Sequence, residues 1–473
     1  MPYDRVSRRR FFYGALLAGA VPAGGFSSAP SLAGLGYKSP NEKLNIASIG
    51  AGGRAADDIL GCESENIVAL ADPDSDRAAA MFHKYPKAPK YADFRKMLDK
   101  EAANIDAVII AIPDFMHGTA AMWSIERGKH VYLEKPLTKT VWEARQLVEA
   151  AAKYKVATQM GNQGMSNEGA REACEIIWSG EIGNVTEVHC WTDAATRWPQ
   201  GVKELPPAET VPATLDWDAW LGIAKTRPYS SAYLPFKWRG WYDFGAGPLG
   251  DEALHLFGCP NMALRLTNPV SVEVVEKSEM NPYTYPTFSS MKWEFPARGA
   301  FPPVTCYWYD RATGAMYRPP NLPEGEPVLP SLRRGGRGGG PPNPPSAAQV
   351  AAAQKEGAVF CGDKGYLAAG GEGASVVCLL PEARAKDYEL PPRMLTRSPG
   401  HYRDWIRACK GGEPAVSNFN VSGPLAEWVL LGNIALRFEG KLEWDAAKMQ
   451  FANNREANQY LEPPAFHNGW KFA

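Results

Sequence analysis

"LNIASIGAGGRAADDIL", residues 44 to 60, decides the fold. A β-rich apolar run breaks at Gly50-Ala51-Gly52-Gly53-Arg54-Ala55, helix formers follow, and a second apolar run, "NIVALADPD", carries Asp72 twenty-two residues after Gly50. A G-x-G-x-x-G/A turn is weak by itself, but between a strand and a helix, with an acidic residue at this distance, it is the signature of a dinucleotide site. Gly50 permits the tight turn, Gly52 lets the backbone approach a pyrophosphate, and Ala55 allows close helix packing. Gly53 and Arg54 open the helix whose N-terminus faces the phosphates. Asp72 would hydrogen-bond a ribose 2′-OH and repel a 2′-phosphate. NAD is therefore favoured over NADP, with Arg54 the residue able to accept the extra phosphate.

More βα units follow: "DAVIIAIPD" (106–114) with a helix near 118–127, "HVYLEKPLTKT" (130–140) with a helix near 140–154, and "VATQMGNQ" (156–163). Continuous apolar strands between helices predict an α/β fold with a parallel sheet covered on both faces. Ligands to such a sheet bind beyond the carboxyl ends of its strands. Three polar corners stand there: Pro113-Asp114 with His117, Glu134-Lys135-Pro136, and Asn162-Gln163. A partly desolvated lysine at that edge would polarise a substrate hydroxyl, and Pro136 holds Lys135 in an extended backbone that fixes its direction.

The totals suit two soluble globular domains: 473 residues, 45% apolar, 22% charged, with 51 Lys+Arg against 52 Asp+Glu. This near balance gives no field to attract nucleic acid or an anionic membrane. Eight cysteines without a C-x-x-C pair or a zinc-like Cys/His spacing argue against a structural metal or a disulfide scaffold. At the N-terminus, "SRRRFFYGALLAGAVPAGG" (7–25) and Ser31-Leu32-Ala33 read as a twin-arginine export signal over residues 1–33, because the apolar run is too short to cross a bilayer. Its removal takes away Arg5, Arg8, Arg9, Arg10 and Asp4 and shifts the formal net charge from −1 to about −4. The expectation is a periplasmic protein exported folded by the twin-arginine translocase, a route suited to a cofactor inserted beforehand. No stable membrane association is expected.

With "GAGGRA", "AIPDFMH", "EKPLTKT" and "GAGPLGDEALHLFG" (245–258) in this order, the chain from about residue 44 onward resembles the Gfo/Idh/MocA family. The resemblance implies a Rossmann domain (44–165), then a substrate and oligomerisation domain (166–473) with a large open, mainly antiparallel sheet. It also implies a homo-dimer or tetramer and oxidation of sugars or polyols with a nicotinamide cofactor. The family's lysine corresponds to Lys135, and its Asp-x-x-x-His pair to Asp251 and His255. Independently, Asp251 and His255 at i and i+4 share one helix face. An imidazole there can take a hydroxyl proton while hydride leaves the same carbon, with a carboxylate one turn away to orient it. His255 is read as the base and Lys135 as its polarising partner, although the resemblance leaves the two proton-transfer roles interchangeable.

The aromatic stretches "HCWTDAATRWPQG" (189–201) and "YLPFKWRGWYDFGAG" (233–247) supply candidate carbohydrate contacts in Trp191, Arg197, Trp238 and Arg239. Strands are predicted at 270–277, 288–296, 303–310 and 357–371, amphipathic helices at 401–414 and 421–445, and a flexible, unpacked Gly/Pro-rich insertion at 318–345. The function expected is oxidation or reduction of a sugar, polyol or glycoside hydroxyl. NAD would be held at roughly nanomolar affinity or better, because a released cofactor would be lost in the periplasm. Two alternatives stand: a redox-neutral NAD-dependent glycoside hydrolase, which the intact lysine motif disfavours, and a non-catalytic exported sugar-binding protein.

Overall fold

Six short strands form the first sheet: β1 (Asn45–Ile49), β2 (Asn66–Ala71), β3 (Lys90–Tyr91), β4 (Ala107–Ile110), β5 (His130–Glu134) and β6 (Thr158–Gly161). The computed structural model describes residues 42–193, 197–311, 317–329, 355–386 and 388–472. The expected export segment, 1–33, and residues 330–345 of the insertion lie outside these. The sheet order is β3-β2-β1-β4-β5-β6, with every pair parallel. Its central strands are largely apolar because both faces are buried. In β4, Val108 and Ile110 enter one core while Ala107 and Ile109 enter the other. Strand order reverses between β1 and β4, which opens the crevice where such sheets take nucleotides. The helix Val141–Tyr154 then starts on a Thr140/Glu143 capping box, so the chain leaves the Lys135 corner along a fixed path.

The second sheet has nine strands: β7 (Val185–Thr192), β8 (Ser271–Lys277), β9 (Ser289–Phe295), β10 (Val304–Asp310), β11 (Gly357–Gly362), β12 (Gly365–Gly370), β13 (Val376–Leu380), β14 (Lys441–Asp445) and β15 (Gln450–Phe451). Its order is β13-β12-β11-β7-β10-β9-β8-β14-β15, antiparallel except between β7 and β10. One face packs on the helices Glu168–Trp178, Gly247–Leu256, Gly258–Ala263 and Phe419–Ala435. Trp428 fills the centre of that layer, with its ring 4.9 Å from Phe257, 5.4 Å from Trp293 and 5.3 Å from Phe295. The other face gathers Trp191, Val359, Cys361 and Ala368 under Leu322, Val328 and Leu329. All eight cysteines are free and buried.

Two sequence expectations need correction. The helix expected over 421–445 ends at Ala435, and Lys441–Asp445 is strand β14 on the edge of β8. Gly440 takes φ 78° at the reversal, and the alternate burial of Leu442 and Trp444 is a period-two signal hidden behind a long helical run. The insertion expected to stay unpacked instead buries Leu322, Val328 and Leu329 on the sheet. Proline-rich coil needs no ladder of its own when three aliphatic side chains anchor it.

Trp428→Ala leaves a cavity where helix, sheet and a second helix meet. It should lower the unfolding free energy by about 3–5 kcal/mol in denaturant titration. A loss below about 1 kcal/mol would contradict this packing.

Candidate active site

The turn after β1 has no room for side chains. Gly50 has φ 92°, and a Cβ on it would lie 2.3 Å from the Ala111 carbonyl oxygen, so this glycine closes β1 onto the end of β4. A Cβ on Gly52 would meet Arg77 at 2.5 Å, and one on Gly53 would meet the Arg77 guanidinium at 2.3 Å. Ala55 is fully buried beneath the turn, its Cβ 3.3 Å from the position of a Gly50 Cβ. Asp72, at the end of β2, accepts from the Ala51 and Gly52 amides at 2.8 and 3.2 Å and from Asp74 at 2.9 Å. A bare turn with amides aimed at a carboxylate suits the pyrophosphate and ribose of NAD.

Arg54 turns elsewhere. It pairs with Glu134 at 3.0 Å and Asp58 at 3.1 Å and donates to the Tyr402 hydroxyl at 2.9 Å. Its charge is thus neutralised at the β5 end of the cleft, which removes the sequence argument for a 2′-phosphate there. The cation over the glycine turn is Arg77, five residues beyond Asp72, which the fingerprint did not single out.

Lys135 follows β5, and its peptide bond to Pro136 is cis. Its Nζ lies 2.8 Å from Asp251 Oδ1, with Arg239 Nε 3.8 Å from the same oxygen. Asp251 and His255 come from the helix Gly247–Leu256, every residue of which is buried. Burial works against the Lys135 ammonium, but the Asp251 and Glu252 charges outweigh it and hold its pKa above the ordinary value. Burial likewise opposes the Asp251 carboxylate, yet Lys135 and Arg239 keep it below its ordinary value. The pair is therefore ionised at neutral pH.

His255 behaves in the opposite way. Burial, assisted by the Lys135 cation, pushes its pKa well below the ordinary range, so the ring is neutral. Its Nδ1 is buried, makes no hydrogen bond, and lies 3.6 Å from Glu372 Oε2. Glu372 sits in the turn between β12 and β13, over a hundred residues from His255, and no sequence signal connects them. Asp114 is buried, and burial followed by the Asp251 charge lifts it to about 7, even though its carboxylate accepts the Ala246 amide at 2.8 Å.

One cleft of about 510 Å³ joins the glycine turn, Lys135 and His255. It is lined by Gly50, Gly52, Gly53, Arg54, Asp72, Pro113, Asp114, Glu134, Lys135 and Gln163 from the first sheet and by Trp238, Arg239, His255 and Glu372 from the second part of the chain. Gln163 donates to Glu134 at 2.6 Å and to Tyr132 at 2.8 Å. Trp220, Phe236 and Trp470 also line the cleft, and so do Asp93 and Phe94. The composition of the chain gave no reason to select these aromatics among 15 tryptophans.

Other expected residues sit outside the lining. His117 is buried behind it, and its ring nitrogens face the carbonyls of Pro136 at 2.6 Å and Ile112 at 2.8 Å, tying two strand ends together. Asn162 donates to the Leu254 carbonyl at 3.3 Å and so braces the helix that carries His255. Arg197 pairs with Asp193 at 2.9 Å and with Glu252, the residue after Asp251, at 3.0 Å. Trp191 needs correction as a pocket residue. The period of β7 turns it to the outer face of the nine-stranded sheet, where it is fully buried against Leu322 and Leu329.

Residues 44–162 match the description "Oxidoreductase family, NAD-binding Rossmann fold", and residues 173–295 match "Oxidoreductase family, C-terminal alpha/beta domain". The inositol 2-dehydrogenase of Serratia proteamaculans is 33% identical over 152 residues, 31% of this chain and 45% of that protein. Inositol 2-dehydrogenase 4 of Saccharopolyspora erythraea is 26% identical over 206 residues, 41% of this chain and 60% of that protein. The matches span less than two thirds of either relative. Among solved structures, the aldose-aldose oxidoreductase of Caulobacter crescentus superposes with TM-score 0.56 at 14% identity, covering 85% of this chain and all of that one. The WlbA dehydrogenase of Bordetella pertussis, solved with NADH and UDP-GlcNAcA, gives TM-score 0.56 at 13% identity over 85% of this chain and 99% of that one. At these identities the likeness is one of fold.

Asp114 binds more protons in the folded than in the unfolded chain between an unfolded carboxyl pKa near 4 and its folded value, so its ionisation lowers stability as pH rises through that window. Asp114→Asn keeps an acceptor for the Ala246 amide and should flatten the fall in urea-unfolding free energy between about pH 4.5 and about pH 8, by on the order of 3 kcal/mol. An unchanged slope would show that Asp114 ionises as an ordinary carboxyl.

Proposed function

Since this chain belongs to the Gfo/Idh/MocA oxidoreductase family and carries its NAD-binding Rossmann domain, we propose that it oxidises a hydroxyl of a sugar, polyol or glycoside or reduces the corresponding carbonyl. The observation that carries the reading is the 2.8 Å Lys135–Asp251 ion pair, whose lysine lines one cleft with the glycine turn and a neutral His255. Bound NAD supplies the hydride acceptor. Lys135, kept charged by Asp251, donates a hydrogen bond to the reacting hydroxyl and stabilises the negative charge that grows on its oxygen. His255, uncharged and without a hydrogen-bond partner at Nδ1, takes the proton. The ion pair supports this division of roles that sequence left partly interchangeable, because an ammonium paired with a carboxylate is a poor base. Trp238 and Arg239 supply an apolar face and a cation for the rest of the carbohydrate. Relatives named for inositol, a cyclic polyol, support this substrate class.

Tight retention of NAD and export to the periplasm belong to the same proposal. Residues 214–216 bond back to the end of β2, through Ser75 N–H to Thr214 O at 2.9 Å and Asp216 N–H to Pro73 O at 2.8 Å. The segment beyond them brings Trp220 and Phe236 to the cleft, and the C-terminal stretch brings Trp470, its ring tilted against Phe94 at 5.4 Å. A cofactor beneath these straps would leave slowly. A homo-oligomer would form through the second domain.

A second reading, redox-neutral glycoside hydrolysis, draws support from Asp114. A carboxyl in the cleft lifted to about 7 retains a proton for a leaving group. A chromogenic glycoside separates the two, since release of its aglycone without net change in nicotinamide absorbance belongs to the hydrolase alone.

Two outcomes test the leading reading. A panel of sugars and polyols should change the nicotinamide absorbance of the purified protein, with turnover falling about a hundredfold or more in Lys135→Ala while NAD binding persists. Equal turnover would remove the assignment. Trp470→Ala should release bound NAD on dialysis about tenfold faster or more. Retention equal to that of the parent chain would show that the C-terminal strap holds nothing.

A further inference from the structure

On the outer face of the nine-stranded sheet, away from the cleft, stand three side chains that the proposed reaction does not use. Glu187 and His189 are two residues apart on β7 and share a face. Cys361 on β11 lies directly across from Glu187 in the strand register. One ligand atom from each, a carboxylate oxygen, an imidazole nitrogen and a thiol sulfur, lies within 4.8 Å of the other two. Glu187 Oε2 and His189 Nε2 are 3.3 Å apart. Two such atoms bound to one tetrahedral ion at about 2.1 Å would be roughly 3.4 Å apart, and a thiolate would sit at roughly 3.6 Å from either. Rotation of the half-exposed Glu187 side chain can take up the remaining difference.

The imidazole is already oriented for ligation. Its ring lies between Tyr317, at 3.6 Å, and Tyr307, at 4.6 Å, in parallel stacks. Its Nδ1 is 2.9 Å from the Tyr309 hydroxyl. With Nδ1–H donated to that hydroxyl, the outer hydrogen bond that metal-binding histidines recurrently make, Nε2 is left as the ligand atom, 3.3 Å from Glu187 Oε2. The Cys361 thiol donates to Tyr317 Oη at 3.4 Å, so a polar group stands ready to support a thiolate.

We propose that Glu187, His189 and Cys361 form a binding site for one divalent transition ion of the zinc type, with water as the fourth ligand. A carboxylate and a thiolate carry two negative charges against the ion's two positive ones, so the loaded site is neutral on a largely buried face. Binding forms an ion–sulfur bond and releases the Cys361 proton to solvent. The mixture of soft sulfur, imidazole and one oxygen selects zinc, cobalt or their like over magnesium or calcium. The spacing escapes motif reading because β7 and β11 lie some 170 residues apart in sequence and are joined only by sheet pairing.

The test is a cobalt titration of the full-length protein after chelator treatment and dialysis. One equivalent of Co²⁺ should produce the visible bands of a tetrahedral ion and a near-ultraviolet thiolate charge-transfer band, and Zn²⁺ should erase both. Cys361→Ser should abolish the charge-transfer band. Glu187→Gln, at a half-exposed position where folding is secure, should weaken affinity. Tyr309→Phe should cost about ten- to a hundredfold, as the loss of an outer hydrogen bond does. Each variant is checked by circular dichroism and by retained NAD. Absence of bands at one equivalent, or a charge-transfer band that survives in Cys361→Ser, would overturn the proposal.

Discussion

The ion pair between Lys135 and Asp251 joins the two halves of this protein beside the cleft. One partner ends a strand of the parallel sheet, and the other lies one turn before His255 on a helix packed against the second sheet. Removing either member of a buried pair leaves an uncompensated charge and costs about 3–5 kcal/mol, whereas replacing both with apolar groups often costs nothing. Stability alone therefore does not explain the pair. Its service is to keep an ammonium charged in a site whose burial opposes charge, aimed into a cleft that also holds the glycine turn.

Around that pair the site sorts its protons by environment. Asp251, flanked by two cations, stays ionised. Asp114, equally buried but facing Asp251, is lifted to about 7. His255 stays neutral beside Lys135. Three titratable groups of ordinary type are thus held as an anion, a carboxyl near neutrality and an uncharged imidazole, a spread recurrent in enzyme sites.

Local chemistry was legible in the sequence and distant pairing was not. The glycine turn, Asp72 and the Lys135 corner were readable because each is a strand end with a distinctive residue, and the parallel sheet followed from its unbroken apolar runs. Asp251 and His255 were marked by the family resemblance, to which their one-turn spacing added only a shared helix face. Trp191 was misplaced because an aromatic residue in a strand gives no indication of which face it takes until the sheet is assembled. Glu372 and Trp470 reach the cleft from remote turns, and Arg77 carries no motif, so nothing local marked them. The strand at Lys441–Asp445 was obscured by the helix before it, where apolar residues so dense that nearly every position is buried conceal the change of period.

The central claim is spatial: one carbinol meets Lys135 and His255 together, and a crystal structure of the protein with NAD and a bound polyol measures this directly. The account predicts a substrate oxygen within hydrogen-bonding reach of both Lys135 Nζ and a His255 ring nitrogen, with Asp251 still paired to the lysine. A polyol whose hydroxyls meet neither residue, in a cleft where NAD lies along the glycine turn, would contradict it.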